Sequence, residues 1–362
     1  MKTDIGNIPE LPKFNLKNSD WKDGAVVRSP NWLGDAIMTL PAMLQLRRLI
    51  PEKCGLFVVC PPSLEDFFKA LPIVDVVQPL HKAHKAWSKE DKMKVRKLQA
   101  GVCLMFNNSL RDAIYFKAAK VPKLFGAAAR CRGVLMTKAW KFPKRLNCEF
   151  NKLHHAAKYL SMSIALGAPE WTGDMPEFVV NKERELIDKK ILALFDEPRL
   201  MTLAPGAAYG EAKRWPSEYF NKVANRWVED GGSVAVLGTA KERKIGDLAI
   251  QGLPDDKAFN MAGKTDLSEL MLTLQNAQIC VANDSGTMHL AAALGTKGIA
   301  VFGSTDPSAT SPVSSSRWDI LFEKQECAPC FKRECPKTEE RYSCLRAITP
   351  ERVIELAKEI TA

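Results

Sequence analysis

Four stretches of this chain hold residue types whose order could do chemistry. The first is Asn283-Asp284-Ser285-Gly286-Thr287-Met288-His289, which follows one apolar run and opens another. Read as a strand followed by a helix, it puts free N–H groups and the positive end of a helix dipole where a phosphate would bind. Gly286 allows close approach to the backbone, and Ser285 and Thr287 add hydroxyls. The same residues have a plainer use, since Asp284 or Ser285 would cap the helix and His289 would be an ordinary helix-face histidine. The second stretch is Ala204-Pro205-Gly206-Ala207-Ala208-Tyr209-Gly210-Glu211-Ala212-Lys213-Arg214-Trp215-Pro216. Its small-residue loop exposes N–H groups to an anion, and Lys213 could neutralise a departing diphosphate. Read alone, Lys213 and Arg214 are equally well surface charges. The third stretch is Arg28-Ser29-Pro30-Asn31-Trp32-Leu33-Gly34-Asp35. Asp35 could take a proton from an acceptor hydroxyl, or it could cap a helix.

The fourth stretch holds Cys327, Cys330, Cys335 and Cys344, spaced C-x2-C-x4-C-x8-C. Four thiols this close could bind a structural zinc ion, stay reduced, form a local disulfide pair or serve a redox role. Because the cluster lies away from the other three stretches in sequence, it is expected to be structural and separate from the chemistry.

These residues need a frame. Short apolar strands alternate with amphipathic helices along the chain, which implies parallel sheets with right-handed crossovers. In the first half the strands are read at 25–28, 56–60, 74–78 and 102–106, and helices at 35–50, 64–71, over the basic stretch, and at 151–166. Turn-rich residues 167–180, with Gly167, Pro169, Gly173 and Pro176, read as a linker. The second half restarts the rhythm, with strands at 200–203, 233–237, 279–282 and 298–302. Its helices are read at 216–229, 266–276, 285–294 and 350–360. Two doubly wound α/β domains are expected, 1–170 and 181–348, with a final helix at 349–362 that could pack back on the first. Ligands bind such sheets beyond the carboxyl ends of their strands, so a cleft between the domains is the expected site.

The 362 residues carry a formal charge of +10, which favours anionic partners. The densest basic stretch, Lys82 to Lys97, is either a solvated helix face or a patch for anionic lipid or an acidic acceptor. Nucleic acid fits poorly, because no zinc-finger, RNP or basic-zipper pattern accompanies the charge. No apolar run approaches the roughly 18–20 residues that span a bilayer. The polar first 23 residues lack a secretory core. A cytoplasmic chain is expected, and its ten cysteines are then no disulfide framework.

Taken together, Pro30-Asn31-Trp32-Leu33-Gly34-Asp35, Lys213-Arg214-Trp215-Pro216, Asn283-Asp284-Ser285-Gly286-Thr287-Met288-His289 and Phe302-Gly303-Ser304-Thr305-Asp306-Pro307 resemble the ADP-heptose:lipopolysaccharide heptosyltransferases, glycosyltransferase family 9. The first motif is most similar to the heptosyltransferase II branch. The resemblance runs from about residue 25 to about residue 355 and implies a GT-B fold, two Rossmann-like domains facing a central cleft. It implies Asp35 as catalytic base and Lys213 on the donor phosphates. It puts Asp284, Ser285 and Gly286 in the donor site, with Thr287 in the same motif and His289 beside it. It also implies an inverting displacement with ADP-heptose as donor and the lipopolysaccharide inner core as acceptor, catalysed by a cytoplasmic enzyme peripheral to the inner membrane. No catalytic metal is expected, since no Asp-x-Asp motif is present. A transferase using a different nucleotide sugar and a non-catalytic sugar-nucleotide binder are the alternatives. A Rossmann dehydrogenase is disfavoured, because no Gly-x-Gly-x-x-Gly follows the first strand.

Overall fold

The computed structural model describes residues 5–81, 86–142, 154–183, 187 and 189–362. Within the basic stretch, Lys82 and Lys85 lie outside these residues, as do 151–153 of the helix expected at 151–166. The chain divides into two compact units, Ile5–Val179 and Val180–Ala362.

The N-terminal unit holds six strands: β1 (Gly24–Arg28), β2 (Gly55–Cys60), β3 (Val76–Pro79), β4 (Val102–Met105), β5 (Lys123–Ala127) and β6 (Lys138–Trp140). They form one sheet in the order β3-β2-β1-β4-β5-β6, and each neighbouring pair is parallel. β1, β2 and β4 are apolar almost throughout, as strands covered on both faces must be. Val26, Val59, Cys103, Met105 and Leu124 pack on Trp87 and Phe116. The expected helix at 35–50 is two helices, Leu33–Met38 and Leu40–Leu49. Pro41 is the cause, because it has no N–H to continue the first helix. Thr39 turns the corner, its hydroxyl donating to the Ala36 carbonyl at 2.6 Å.

The C-terminal unit repeats the plan with β7 (Leu200–Ala204), β8 (Ser233–Val236), β9 (Ala258–Asn260), β10 (Ile279–Asn283), β11 (Gly298–Phe302) and β12 (Trp318–Phe322). The order β12-β11-β10-β7-β8-β9 is again all parallel. Alternate residues Met201, Leu203, Val234, Val236, Ile279, Val281, Ile299 and Val301 share one core with Phe220, Val223 and Trp227, as the two-residue period of a strand requires. The last helix, Pro350–Thr361, adds Val353, Ala357 and Ile360 to that core. Within this unit its apolar face packs on β10, β11 and the helix Ser217–Glu229.

In both sheets the strand order reverses next to the first strand of the unit, between β1 and β4 and between β7 and β10. A doubly wound sheet opens a crevice at that switch point, beyond the carboxyl ends of its strands. The loops after β1, β7 and β10 carry residues singled out above. Among the described residues no helix is long and apolar enough to cross a membrane.

Candidate active site

β7 ends at Ala204 and the chain turns through Pro205–Gly210 into a short 3-10 turn, Glu211–Lys213. A Cβ at Gly206 would lie 2.1 Å from the Glu242 carboxylate, so any side chain there would have to push that carboxylate aside. Gly210 is required twice over: its φ is +156°, and a Cβ would meet the Arg333 carbonyl at 2.3 Å. Both ends of the loop are tied to β10 by one side chain. The Asn283 carboxamide accepts from the Trp215 N–H at 3.0 Å and donates to the Pro205 carbonyl at 2.7 Å.

The fixed loop delivers Lys213 to the next residue of the β10 motif. Lys213 Nζ lies 2.6 Å from Asp284 Oδ2, with the two side chains 13% and 4% exposed. Thr305 donates its hydroxyl to the same carboxylate oxygen at 2.5 Å. Two cationic and hydroxyl donors on one buried carboxylate fix its direction. Ser285 is the cap of the helix Gly286–Ala293, its Oγ accepting from the Met288 N–H at 3.4 Å. Capping uses one of the four N–H groups that a helix start leaves over, so the capping and anion-binding readings of this motif are compatible. His289 is buried in the first turns of that helix, at 4% exposure. The structure therefore brings Lys213, from the loop after β7, to Asp284 and the helix start after β10 that carries Ser285, Gly286, Thr287 and His289, at the switch point.

In the N-terminal unit Asp35 sits in the first turn of Leu33–Met38. The cap of that helix is Trp32, which makes no side-chain cap bond, so Asp35 is not the cap. A carboxylate in a first turn is favoured by the helix dipole. Asp35 is partly exposed and acts on Tyr159 of the helix His155–Ala165. Burial of the Tyr159 hydroxyl, and then the charge of Asp35, push that phenol well above its ordinary value. The phenol stays protonated and adds no negative charge beside the carboxylate. Trp32, next along the loop, is 68% exposed.

Sequence reasoning missed what holds this loop. Arg28, at the end of β1, is fully buried and pairs with Asp112 at 2.7 Å. Its guanidinium also donates to the Ser29 carbonyl at 2.7 Å and the Asn31 side chain at 3.0 Å. Asp112 further accepts from Trp87 Nε1 at 3.2 Å and Asn107 Nδ2 at 2.6 Å. The signal available in sequence was an arginine inside an apolar strand, which needs a partner.

The cysteine cluster is not where sequence distance put it. Cys327, Cys330, Cys335 and Cys344 are free and half-buried, and all four line one cavity of about 20 Å³ together with Ala212 and Ser304. They lie against the Lys213 loop. The Tyr342 N–H donates to Cys335 Sγ at 3.4 Å, and the buried Ser304 hydroxyl has no partner among the described residues. Burial and the other three thiols hold the Cys344 thiol above its usual value. Among the described residues no group of three or more His, Cys, Asp or Glu stands in an arrangement that could hold a metal ion.

Known proteins share this architecture. The chain is 27% identical over 354 residues to lipooligosaccharide heptosyltransferase 2 of Haemophilus influenzae, covering 93% of this chain and 99% of that one. The solved structure of E. coli ADP-heptose lps heptosyltransferase II superimposes with a TM-score of 0.74 at 21% identity, over 93% of this chain and 98% of that one. E. coli heptosyltransferase WaaC, solved with ADP-2-deoxy-2-fluoro heptose, gives 0.63 at 16% identity, over 92% and 99%. The fold is the GT-B fold of these enzymes. Residues 92–340, well over half of the chain, match glycosyltransferase family 9 (heptosyltransferase), and the chain is a glycosyltransferase that belongs to that family.

Proposed function

We propose that this enzyme transfers heptose from ADP-heptose to the inner core of lipopolysaccharide, with inversion at the anomeric carbon. The observation that carries the reading is the Lys213–Asp284 pair at 2.6 Å beside the capped helix start at Ser285. The donor diphosphate lies over that helix start, with Lys213 and the Ser285 and Thr287 hydroxyls around it and Asp284 holding the lysine. Asp35 takes the proton of the acceptor hydroxyl, and the freed oxygen pair attacks the anomeric carbon. The bond from that carbon to the diphosphate oxygen breaks, and its electron pair leaves with ADP. Fixed donors at the place where that charge develops lower the barrier without reorganising. Trp32 offers the acceptor sugar an apolar face, and the positive charge of the chain suits an acidic acceptor at the inner leaflet. The enzyme works in the cytoplasm, peripheral to that membrane, without nucleic acid and without a catalytic metal.

We propose a structural zinc ion for the four thiols, which would have to draw closer together around it, since no three of them stand in a metal-holding arrangement among the described residues. Thiolate chemistry suits zinc, the cavity they line is the size of one small occupant, and the Ser304 hydroxyl has an unused bond to give. Metal analysis of protein purified without added zinc tests this, with one equivalent lost on mutating Cys327 and Cys330 as the expected result. For the transferase reading the test is a mass-spectrometric assay with ADP-heptose, UDP-sugars and GDP-sugars on defined core acceptors. Transfer from a donor other than ADP-heptose, or ADP binding with no transfer at all, overturns it.

A further inference from the structure

The cysteine-bearing segment touches the Lys213 loop through its backbone at several points. The Arg333 carbonyl accepts from the Ala212 N–H at 2.9 Å. The Phe331 carbonyl accepts from the Tyr209 hydroxyl at 2.9 Å, and the Phe331 N–H donates to the Ser304 carbonyl at 2.7 Å. Gly210 lies so close to Arg333 that no side chain fits between them. Tyr342 closes the far side, its hydroxyl donating to Glu211 at 3.0 Å. Residues far apart in sequence thus form one wall.

This wall carries an unspent charge. The ring of Tyr209 has Lys213 Nζ at 5.1 Å and the Arg333 guanidinium at 5.4 Å from its centroid. Lys213 is offset by Asp284. Arg333 is exposed and forms no ion pair among the described residues. The Tyr209 ring favours each cation, and with Lys213 paired to Asp284, Arg333 is the one beside it with no ion pair among the described residues. Neutralising a diphosphate takes more than one cation, and Lys213 has already shared its charge. We propose that Arg333 is a second donor-binding cation, which reaches the diphosphate across Tyr209 and pairs with it in the forked geometry that guanidinium offers phosphate. The inference rests on the nucleotide-sugar reading and does not require the zinc ion.

The test compares ADP and AMP binding by calorimetry on wild type, Arg333→Ala, Arg333→Lys and the neighbouring control Lys332→Ala. Loss of a charge-assisted contact predicts that Arg333→Ala weakens ADP about tenfold and raises the donor KM alike. AMP affinity and the Lys332→Ala control should stay within about threefold, and Arg333→Lys should recover part of the loss. Equal ADP affinity in wild type and Arg333→Ala overturns the proposal, as does an equal loss for AMP, which would mark a structural role. If wild type itself bound no ADP, the donor reading would fall first.

Discussion

Lys213 and Asp284, 71 residues apart, form a largely buried ion pair at 2.6 Å at the switch point of the C-terminal sheet. Removing one partner of such a pair strands the other charge, at a typical cost of about 3–5 kcal/mol. Because Lys213 keeps some exposure, Asp284→Ala is expected near the lower end, about 3 kcal/mol by urea unfolding. The double variant with Lys213→Ala should cost less than the two single losses combined, whereas strict additivity would mean that the pair is not coupled. Lys213→Ala should also lower kcat by about a hundredfold, through loss of leaving-group stabilisation.

The proposed base role of Asp35 predicts that chemistry and donor binding can be separated. Asp35→Ala is expected to reduce transfer by about 10²–10⁴-fold, the usual contribution of a positioned base, while ADP-heptose affinity stays within about threefold. Turnover near wild type in that variant would remove Asp35 from its role.

The buried Arg28–Asp112 pair supports the loop that leads to Asp35. Asp112→Ala leaves a fully buried guanidinium alone and is expected to destabilise the enzyme by about 3–5 kcal/mol. Asp112→Asn keeps an acceptor for Trp87 and should cost less. Unfolding midpoints of the two variants, measured side by side, check the order.

Three core thiols predict how stability falls at high pH. Burial pushes Cys60 and Cys280 up to about 12, and Cys103 further, from an ordinary 9.0. Their folded values lie above the unfolded ones, so their stabilising contribution is complete below pH 9 and is lost as pH rises from there towards 12. At pH 10 the deficit has already passed about 1 kcal/mol per thiol. Cys280→Ala should therefore lose less stability than wild type between pH 8 and pH 10, and an equal loss would contradict this account. The same burial predicts that these thiols resist a thiol reagent in the native protein while exposed Cys131 reacts.

Much of the frame was legible because apolar strands covered on both faces stand out as unbroken runs. β1, β2, β4, β7, β8, β10 and β11 were all read within a residue or two. The edge strands were harder. β6 and β9 are three residues long, and β12 is largely half-buried, so neither length nor hydrophobic contrast marks them. Asp35, Lys213 and the Asp284–His289 motif were read as separate segments. What no local pattern contains is the meeting of Lys213 with Asp284, or of Arg28 with Asp112 across 84 residues, because the switch point of each sheet decides both. Distance along the chain misled the reading of the cysteines for the same reason. β11 and β12 carry the segment back to the loop after β7.

Asn283 ties the two ends of the Lys213 loop together. One carboxamide grips both Pro205 and Trp215, so exchanging the asparagine would loosen both ends at once, whereas side-chain changes at Ala207 or Ala208 leave those two bonds in place.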